Sequence, residues 1–334
     1  MLSGIDRTST SRRRPTISST GRCFRGVRSA GTIMQITLDE VAAHQADTLL
    51  PPDPEFAKDY AGDVEYGRSI AASSTVALVA ICRNAMPWLP QTLRLVEETG
   101  AMFREWSAFI YENDSTDDTK AVLGAWADGQ QRHASLNING RPHLNGTIEP
   151  VRTHALAEYR AACQEFVRHG NVPDFVIVFD TDAWGGWSVD GVANSVAWLA
   201  LDRSWYGLAS YSWAEMLQPS GPLAIHYDAF ASRLNVWQRR DQNWFHLWHP
   251  PVGSPPVEFR SAFGQLAIYR GQRYLQGRYG GEDCEHVVFH RSIEEEAEKE
   301  DGDFYQGPGH TRFGLNPSSR CVSFWIPDEV TRAG

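Results

Sequence analysis

The run Val76-Ala77-Leu78-Val79-Ala80-Ile81 has no polar side chain on either face. A strand of that kind is stable only when both of its faces are covered. Phe175-Val176-Ile177-Val178-Phe179 repeats the pattern, and Ser107–Glu112 reads as a third strand between them. The intervening segments read as helices. Pro87 suits the first turn of one running to about Glu98, with Leu89, Leu93 and Val96 on one side. Lys120–Trp126 begins another, and residues 151–168 place Ala155, Tyr159, Cys163, Phe166 and Val167 on a broad apolar side. Strand and helix in alternation predict an α/β sheet with mostly parallel strands. In such sheets ligands bind outside the carboxyl ends of the strands.

The rest of the 334-residue chain is read around that unit. Residues 1–33 carry seven arginines against one aspartate and little to bury, so a disordered basic segment is expected there. Residues 34–73 are an N-terminal extension in which Thr37-Leu38-Asp39-Glu40 looks like a helix cap and Pro51, Pro52 and Pro54 a stop. Residues 128–150 are polar and rich in Gly and Asn. Further strands are expected at Trp205–Tyr211, Leu223–Tyr227, Phe263–Tyr269 and Cys321–Ile326, with helices at Val189–Leu199 and from Cys284 to Glu300. No proline-rich linker divides the chain, so one domain is expected over residues 74–330: a donor half at 74–187 and an acceptor half at 188–330.

Beyond the basic start the chain is strongly acidic, within an overall formal charge of -10, which disfavours a nucleic-acid partner. Five scattered cysteines without ligand spacing read as free thiols in a reducing compartment. No apolar run is long enough to span a bilayer. The expectation is a cytoplasmic protein without a transmembrane segment, with peripheral attachment to a membrane allowed.

The chemistry is expected at the strand ends. Asp180 and Asp182 stand where the 175–179 run emerges. Two carboxylates at i and i+2 of an extended chain point the same way and attract a hard divalent cation, Mn2+ or Mg2+. Such a cation offsets the charge that builds on a departing diphosphate. Trp184-Gly185-Gly186-Trp187 follows, and the faces of Trp184 and Trp187 suit the apolar side of a sugar ring. Each motif has a plainer reading as well: an acid after a strand also caps a helix or makes a turn, and tryptophan is also an ordinary core residue.

Val76–Asn84, Ile110–Thr119 and Phe175–Asp182 together resemble the nucleotide-sugar half of glycosyltransferases of the GT-A (Rossmann-like nucleotide-diphospho-sugar transferase) fold, an α/β fold with a mixed central sheet. Tyr111-Glu112-Asn113-Asp114-Ser115-Thr116-Asp117-Asp118-Thr119 is similar to the version in fungal capsule mannosyltransferase-like proteins; the family 2-like branch has Asp-Asp-Gly-Ser instead of Glu-Asn-Asp-Ser. The resemblance implies a UDP- or GDP-linked sugar donor, with Glu112 or Asp114 on the nucleotide. It also implies Arg160 near the diphosphate, in a pattern that reads Arg160-Ala161 here instead of Arg-Asn, and Arg83 beside it. Tyr279-Gly280-Gly281-Glu282-Asp283 resembles the Gly-Glu-Asp segment of inverting members, which implies Asp283 as the base and Glu282 as a holder of an acceptor hydroxyl. His310, with the later Asn316-Pro317, resembles the histidine segment of animal β-1,4-galactosyltransferases and implies a further metal ligand; His290 and His286 are its competitors. The expected activity is metal-dependent transfer of a sugar to a glycan, lipid or protein acceptor that the sequence does not identify. A nucleotidyltransferase of related fold and a non-catalytic sugar-binding protein are the alternatives.

Overall fold

The computed structural model describes residues 24–29, 32–144, 147, 149–228, 230–234, 243–301, 311–328 and 330. In chain order it begins with a pair of antiparallel strands, β1 (Phe24–Ser29) and β2 (Thr32–Ile36), where the sequence was expected to lack structure up to residue 33. Helices α1 (Leu38–Ala43), α2 (Ala46–Leu49) and α3 (Ala57–Ala71) follow. The Thr37–Glu40 string closes a reciprocal cap on α1. Then come β3 (Thr75–Cys82), α4 (Leu89–Gly100), β4 (Glu105–Asn113), α5 (Thr119–Trp126), β5 (Arg132–Asn137), α6 (Pro150–His169) and β6 (Phe175–Asp180). The second half holds β7 (Gly186–Trp187), α7 (Val189–Leu201), β8 (Trp205–Gln218), β9 (Gly221–His226), β10 (Val257–Phe259), β11 (Leu266–Arg270), α8 (Gly271–Gln276), α9 (Glu285–Asp301) and β12 (Arg312–Phe324).

The class is α/β with a mixed central sheet. The order is β10-β12-β8-β11-β6-β3-β4-β5, with β7 on β12 and β9 on β8. Strands β5, β4, β3 and β6 are parallel, β11 runs against β6 and β8, and β12 returns parallel to β8. The apolar runs are shared between two layers, as period-two side-chain alternation requires. Ala77, Val79, Val176 and Val178 face Ala157, Cys163, Val167 and Val287 of α6 and α9. Val76, Leu78, Phe175 and Ile177 face Leu93, Val96, Leu123 and Val196 of α4, α5 and α7. Burying one such side chain contributes about 2 kcal/mol, so a charge anywhere in either run would break a layer.

The extension is fastened to this body. Helix α3 packs along α7 at Gly67, where any Cβ would collide with the Ala193 carbonyl. Arg320 of β12, entirely buried, donates to the Leu50 carbonyl, to Asp47 (2.7 Å), to the Tyr60 hydroxyl (2.7 Å) and to Ser188 (2.6 Å). No helix among the described residues is long and apolar enough to cross a membrane.

The sheet order also places the site. From β3 the chain moves outward through β4 to β5, then crosses back to β6 on the other side of β3. The carboxyl ends of β3 and β6 therefore part at a topological switch point, where a ligand crevice forms in sheets of this kind.

Candidate active site

Four non-glycine residues among those described have positive φ: Asn84 (49°), Asp114 (55°), Asp228 (76°) and Gln265 (66°). All four lie at the carboxyl end of the parallel strands. Asn84 follows β3 and Asp114 follows β4. Gln265 precedes the antiparallel β11 and its carbonyl accepts from the Asp180 amide at 2.9 Å. Asp228 follows Tyr227, whose amide bonds the Ser212 carbonyl of β8 at 2.7 Å. Each such backbone conformation costs about 1–3 kcal/mol, so strain concentrated at one end of a sheet marks it as the end in use.

Asp180 and Asp182 stand at the tip of β6. Between them Thr181 is buried, with its hydroxyl 3.4 Å from the Ile81 carbonyl, so the alternation turns both flanking carboxylates away from the sheet interior. Asp180 Oδ1 accepts from Arg160 Nη2 at 2.5 Å; Arg160, nearly inaccessible, also donates to the Phe179 carbonyl (3.2 Å) and lies over the Phe263 ring. Asp182 is exposed at the tip of the strand. Desolvation, followed by the charge of Asp180, pushes its carboxyl up to about 6. Gln265 Nε2 reaches Asp182 Oδ1 at 3.4 Å, and its own Oε1 is held by Ser323 Oγ at 2.5 Å.

The opposite wall comes from β9, the segment before β11, and α9. Asp228 is half-buried; its Oδ2 accepts from the Gly264 amide at 2.8 Å. Gly264 is itself left-handed, and a Cβ there would strike the Ser210 carbonyl. Burial raises Asp228, the Gly264 bond opposes it, and Asp180 and Glu285 add to the rise, leaving the carboxyl pushed up to about 7. Glu285, at the start of α9, is buried and raised by that burial, against which Arg160 works. Tyr227 is partly exposed and is also raised, first by desolvation and then by Asp182, Asp228 and Asp180. Asp180, Asp182, Tyr227, Asp228 and Glu285 thus lie close enough for their charges to act on one another.

Asp283 stands at the edge of this wall, but both its oxygens accept from the fully buried Arg233 guanidinium, at 3.1 and 3.2 Å, and Oδ1 also takes the Cys284 amide at 2.7 Å. The Gly281 stretch that carries it is docked on α6: the Gly281 carbonyl accepts from Thr153 Oγ1 at 2.6 Å, and a Cβ there would enter His154. Glu282 is exposed and lies 3.8 Å from Arg278.

Several sequence expectations are corrected. Glu112 is completely buried, with Oε1 accepting the Ser115 amide at 2.7 Å, so it builds the turn after β4 and has no surface for a nucleotide. Asp114 spends its carboxylate on the Asn139 (2.8 Å), Gly140 (3.0 Å) and Arg141 (3.3 Å) amides. Arg83 donates to the Pro142 (3.2 Å) and Arg141 (3.0 Å) carbonyls. Together these two residues tether the loop after β5 and leave little for a diphosphate. Arg160 is a buried partner of Asp180 and not a phosphate contact. Trp187 is core, its indole N–H on Thr99 Oγ1 at 3.0 Å. Trp184 is half-buried and stacks on Trp88 with centroids 5.1 Å apart. His290 is buried with both ring nitrogens engaged, one 2.9 Å from Ser261 Oγ and the other 3.0 Å from the Tyr269 hydroxyl, which leaves no lone pair for a metal. His310 lies outside the described residues. Among those described, no three His, Cys, Asp or Glu side chains come together as a metal site.

Sequence does not single out Gln265, Glu285 or Arg233, and Asp228 falls there only within the expected acceptor half at 188–330. The string Phe263-Gly264-Gln265 held the available signal, because a glycine just ahead of a strand marks a bend. A separate cavity of about 180 Å3 between the extension and α4 is lined by Asp47, Arg68, Gln91, Arg94, Trp187 and Asp190, and includes none of these carboxylates. Its arginines are already paired, Arg68 with Asp190 and Arg94 with Glu98.

No protein-family model matches the chain, and no curated protein does. Among solved structures it is similar to the mannosyltransferase PcManGT from Pyrobaculum calidifontis in complex with GDP-Man and Mn2+, at 15% identity and TM-score 0.42 over 84% of this chain and 69% of that one. It is also similar to GalNAc-T7 with UDP, GalNAc and Mn2+, at 12% identity and TM-score 0.45 over 84% of this chain and 54% of that one. A third is glucosyl-3-phosphoglycerate synthase from Mycobacterium tuberculosis in complex with UDP, at 11% identity and TM-score 0.41 over 79% and 75%. The chain spans little more than half of GalNAc-T7. At these values the likeness carries neither an activity nor a residue role to this chain.

Proposed function

We propose that the recess binds a nucleotide-diphosphate sugar together with a divalent cation, and that the protein is a GT-A-type glycosyltransferase that moves the sugar to an acceptor hydroxyl with inversion. The observation that carries this is the placement of Asp180 and Asp182 at the switch point between β3 and β6, with Asp182 pushed up by desolvation and by its neighbour. Two carboxylates held together disfavour ionising both, and a cation between them removes that conflict.

The donor set fits Mn2+ or Mg2+. Both accept one or two carboxylates and complete their shells with substrate phosphates and water, so a third protein ligand is not required. Asp180 and Asp182 would hold the ion, which supplies positive charge where the diphosphate departs.

The protein's own residues do the rest. Arg160 fixes the orientation of Asp180 from beneath, and Gln265, clamped by Ser323, does the same for Asp182. Neither positioning group is free to follow the ligand, so the pair is preorganised. Trp184 and Tyr227 leave aromatic surface at the rim, suited to a sugar face. The base expected from sequence, Asp283, would have to give up its Arg233 pair to take a proton.

Purified protein incubated with UDP- and GDP-sugars and Mn2+ is expected to release nucleoside diphosphate slowly, and chelator to stop the release. Pyrophosphate release from a sugar phosphate and a nucleoside triphosphate would instead indicate a nucleotidyltransferase. Manganese-independent sugar binding without any release would indicate a binding protein.

A further inference from the structure

Resting on that reading, we infer that Asp228, rather than Asp283, is the group that takes the proton from the attacking hydroxyl.

The two carboxylates differ in what surrounds them. Asp283 meets a buried guanidinium with both oxygens and an amide with one of them. Protonating it would cost the charge pairing of a fully buried guanidinium. Asp228 is held by backbone amides alone, that of Gly264 on Oδ2 and that of Ala231, with no guanidinium paired to it among the described residues, and the half-buried carboxylate keeps surface for a ligand.

Position supports the assignment. Asp228, Gly264 and Gln265 are all left-handed. Gln265 touches Asp182 and its carbonyl takes the Asp180 amide, while Asp228 touches Gly264. One strained junction therefore carries Asp228 on one side and the two strand-end carboxylates on the other. The charges that act on Asp228 are Asp180 from β6 and Glu285 from α9, both acidic; of the nearby cations Arg160 is paired with Asp180 and Arg233 with Asp283, while Arg152 of α6 acts on the adjacent Tyr227 and on Glu285. An acid pushed up to about 7 by burial and like charge is a better proton acceptor than an ordinary carboxylate and is still largely ionised at mildly alkaline pH. In the step itself the acceptor O–H bond breaks with its proton passing to Asp228 Oδ1. The freed oxygen pair forms the new bond to the anomeric carbon, and the bond from that carbon to the phosphate oxygen breaks with its electrons leaving on the nucleoside diphosphate.

The plainer role for Asp228 is to brace the turn at Gly264, and Asp228→Asn separates the two, since an amide oxygen can still accept the Gly264 N–H. With whichever UDP- or GDP-sugar the protein turns over, Mn2+ and water as acceptor, Asp228→Asn is expected to lower nucleoside diphosphate release about 100-fold or more. Its Mn2+-dependent thermal shift with that donor is expected to match wild type, and formate is expected to restore release to Asp228→Ala. In wild type at saturating Mn2+, release is expected to fall as pH is lowered and Asp228 takes up its proton, and Asp228→Asn is expected to lose that acid limb. Wild-type release from Asp228→Asn, loss of its donor binding, or the same acid limb in Asp228→Asn as in wild type would each overturn the assignment. A wild-type protein that binds no nucleotide sugar would instead sink the reading on which it rests.

Discussion

The two halves of the strand-end rim hold the same kinds of side chain and use them differently. Beside β3 and β4, Glu112, Asp114 and Arg83 are absorbed by the chain's own backbone: an amide of the next turn, three amides of the 139–141 loop, and two carbonyls of the same loop. Beside β6 and β9, Asp180 is steadied by Arg160, Asp182 by Gln265 and Asp228 by the Gly264 and Ala231 amides, and each keeps part of its surface toward solvent, whereas Glu112, with Oε2 unpartnered among the described residues, is sealed from it. Backbone amides outweigh desolvation and hold Asp114 low; desolvation, with neighbouring acids adding to it, raises Asp182 and Asp228. An acid at a strand end is thus a structural or a reactive group according to what is left over after folding, and residue type alone does not decide it.

The difference breaks most visibly on Asp182→Asn. Removing this charge from the open half is expected to abolish the Mn2+-dependent shift with donor and to lower turnover about 100-fold or more, on the scale of losing a preorganised electrostatic contact. Donor affinity equal to wild type would place the metal elsewhere. Arg160→Met comes next and acts on stability. It removes the buried partner of Asp180, so unfolding in denaturant is expected to become easier by about 3 kcal/mol, the lower end of what breaking such a pair costs because Asp180 keeps some solvent. Glu112→Ala tests the closed half. It strands the buried Ser115 amide, for a loss of about 2 kcal/mol, while donor affinity stays at the wild-type value. A large loss of donor affinity with little change in stability would return Glu112 to the nucleotide site.

How much of this was legible in sequence follows the same divide. The buried strands were, because Val76–Ile81 and Phe175–Phe179 admit no other stable placement, and β3 and β6 extend them by a residue or two. Strand β5 was not: Arg132–Asn137 is polar and half-exposed at the sheet edge, where pairing on one side suffices and no apolar run is needed. Helix α3 was also missed, since its apolar stripe is weak and it is held by Gly67 meeting α7. The position of Asp180 and Asp182 at the end of β6 was legible from the apolar run before them. The fates of Glu112, Arg160 and His290 were not, because each depends on a partner distant in sequence or on a turn geometry that residue identity leaves open. Arg233 had no local signal at all: it is a single arginine in irregular chain, and its partner is fifty residues on.

The smallest effect is a difference of sign with pH. In Asp114, partial desolvation favours the neutral form, but the amides of Gly140, Arg141 and Asn139 outweigh it and the carboxyl is lowered. A carboxyl lowered by folding stabilises above its unfolded value, about 3.9, and loses that contribution only as pH falls through its folded value. Asp182 and Asp228 are raised instead, to about 6 and about 7. Their contribution is complete below about 3.9 and is lost as pH rises through those folded values. Taking metal-free protein from pH 5 to pH 8 should therefore loosen the rim at β6 and β9 and leave the loop at Asn139–Arg141 unchanged. Hydrogen exchange, corrected for its intrinsic pH dependence, should show faster opening at the amides of Gly264 and Gln265 over that range, and faster opening of Asn139, Gly140 and Arg141 only at pH below the ordinary carboxylate value, about 3.9. Mn2+ at pH 8 should slow the first set and not the second, because a cation favours ionised Asp182 and has no bearing on a carboxylate already held by amides. If both sets opened together, the rim would be a single unit, and the contrast between its halves would not survive.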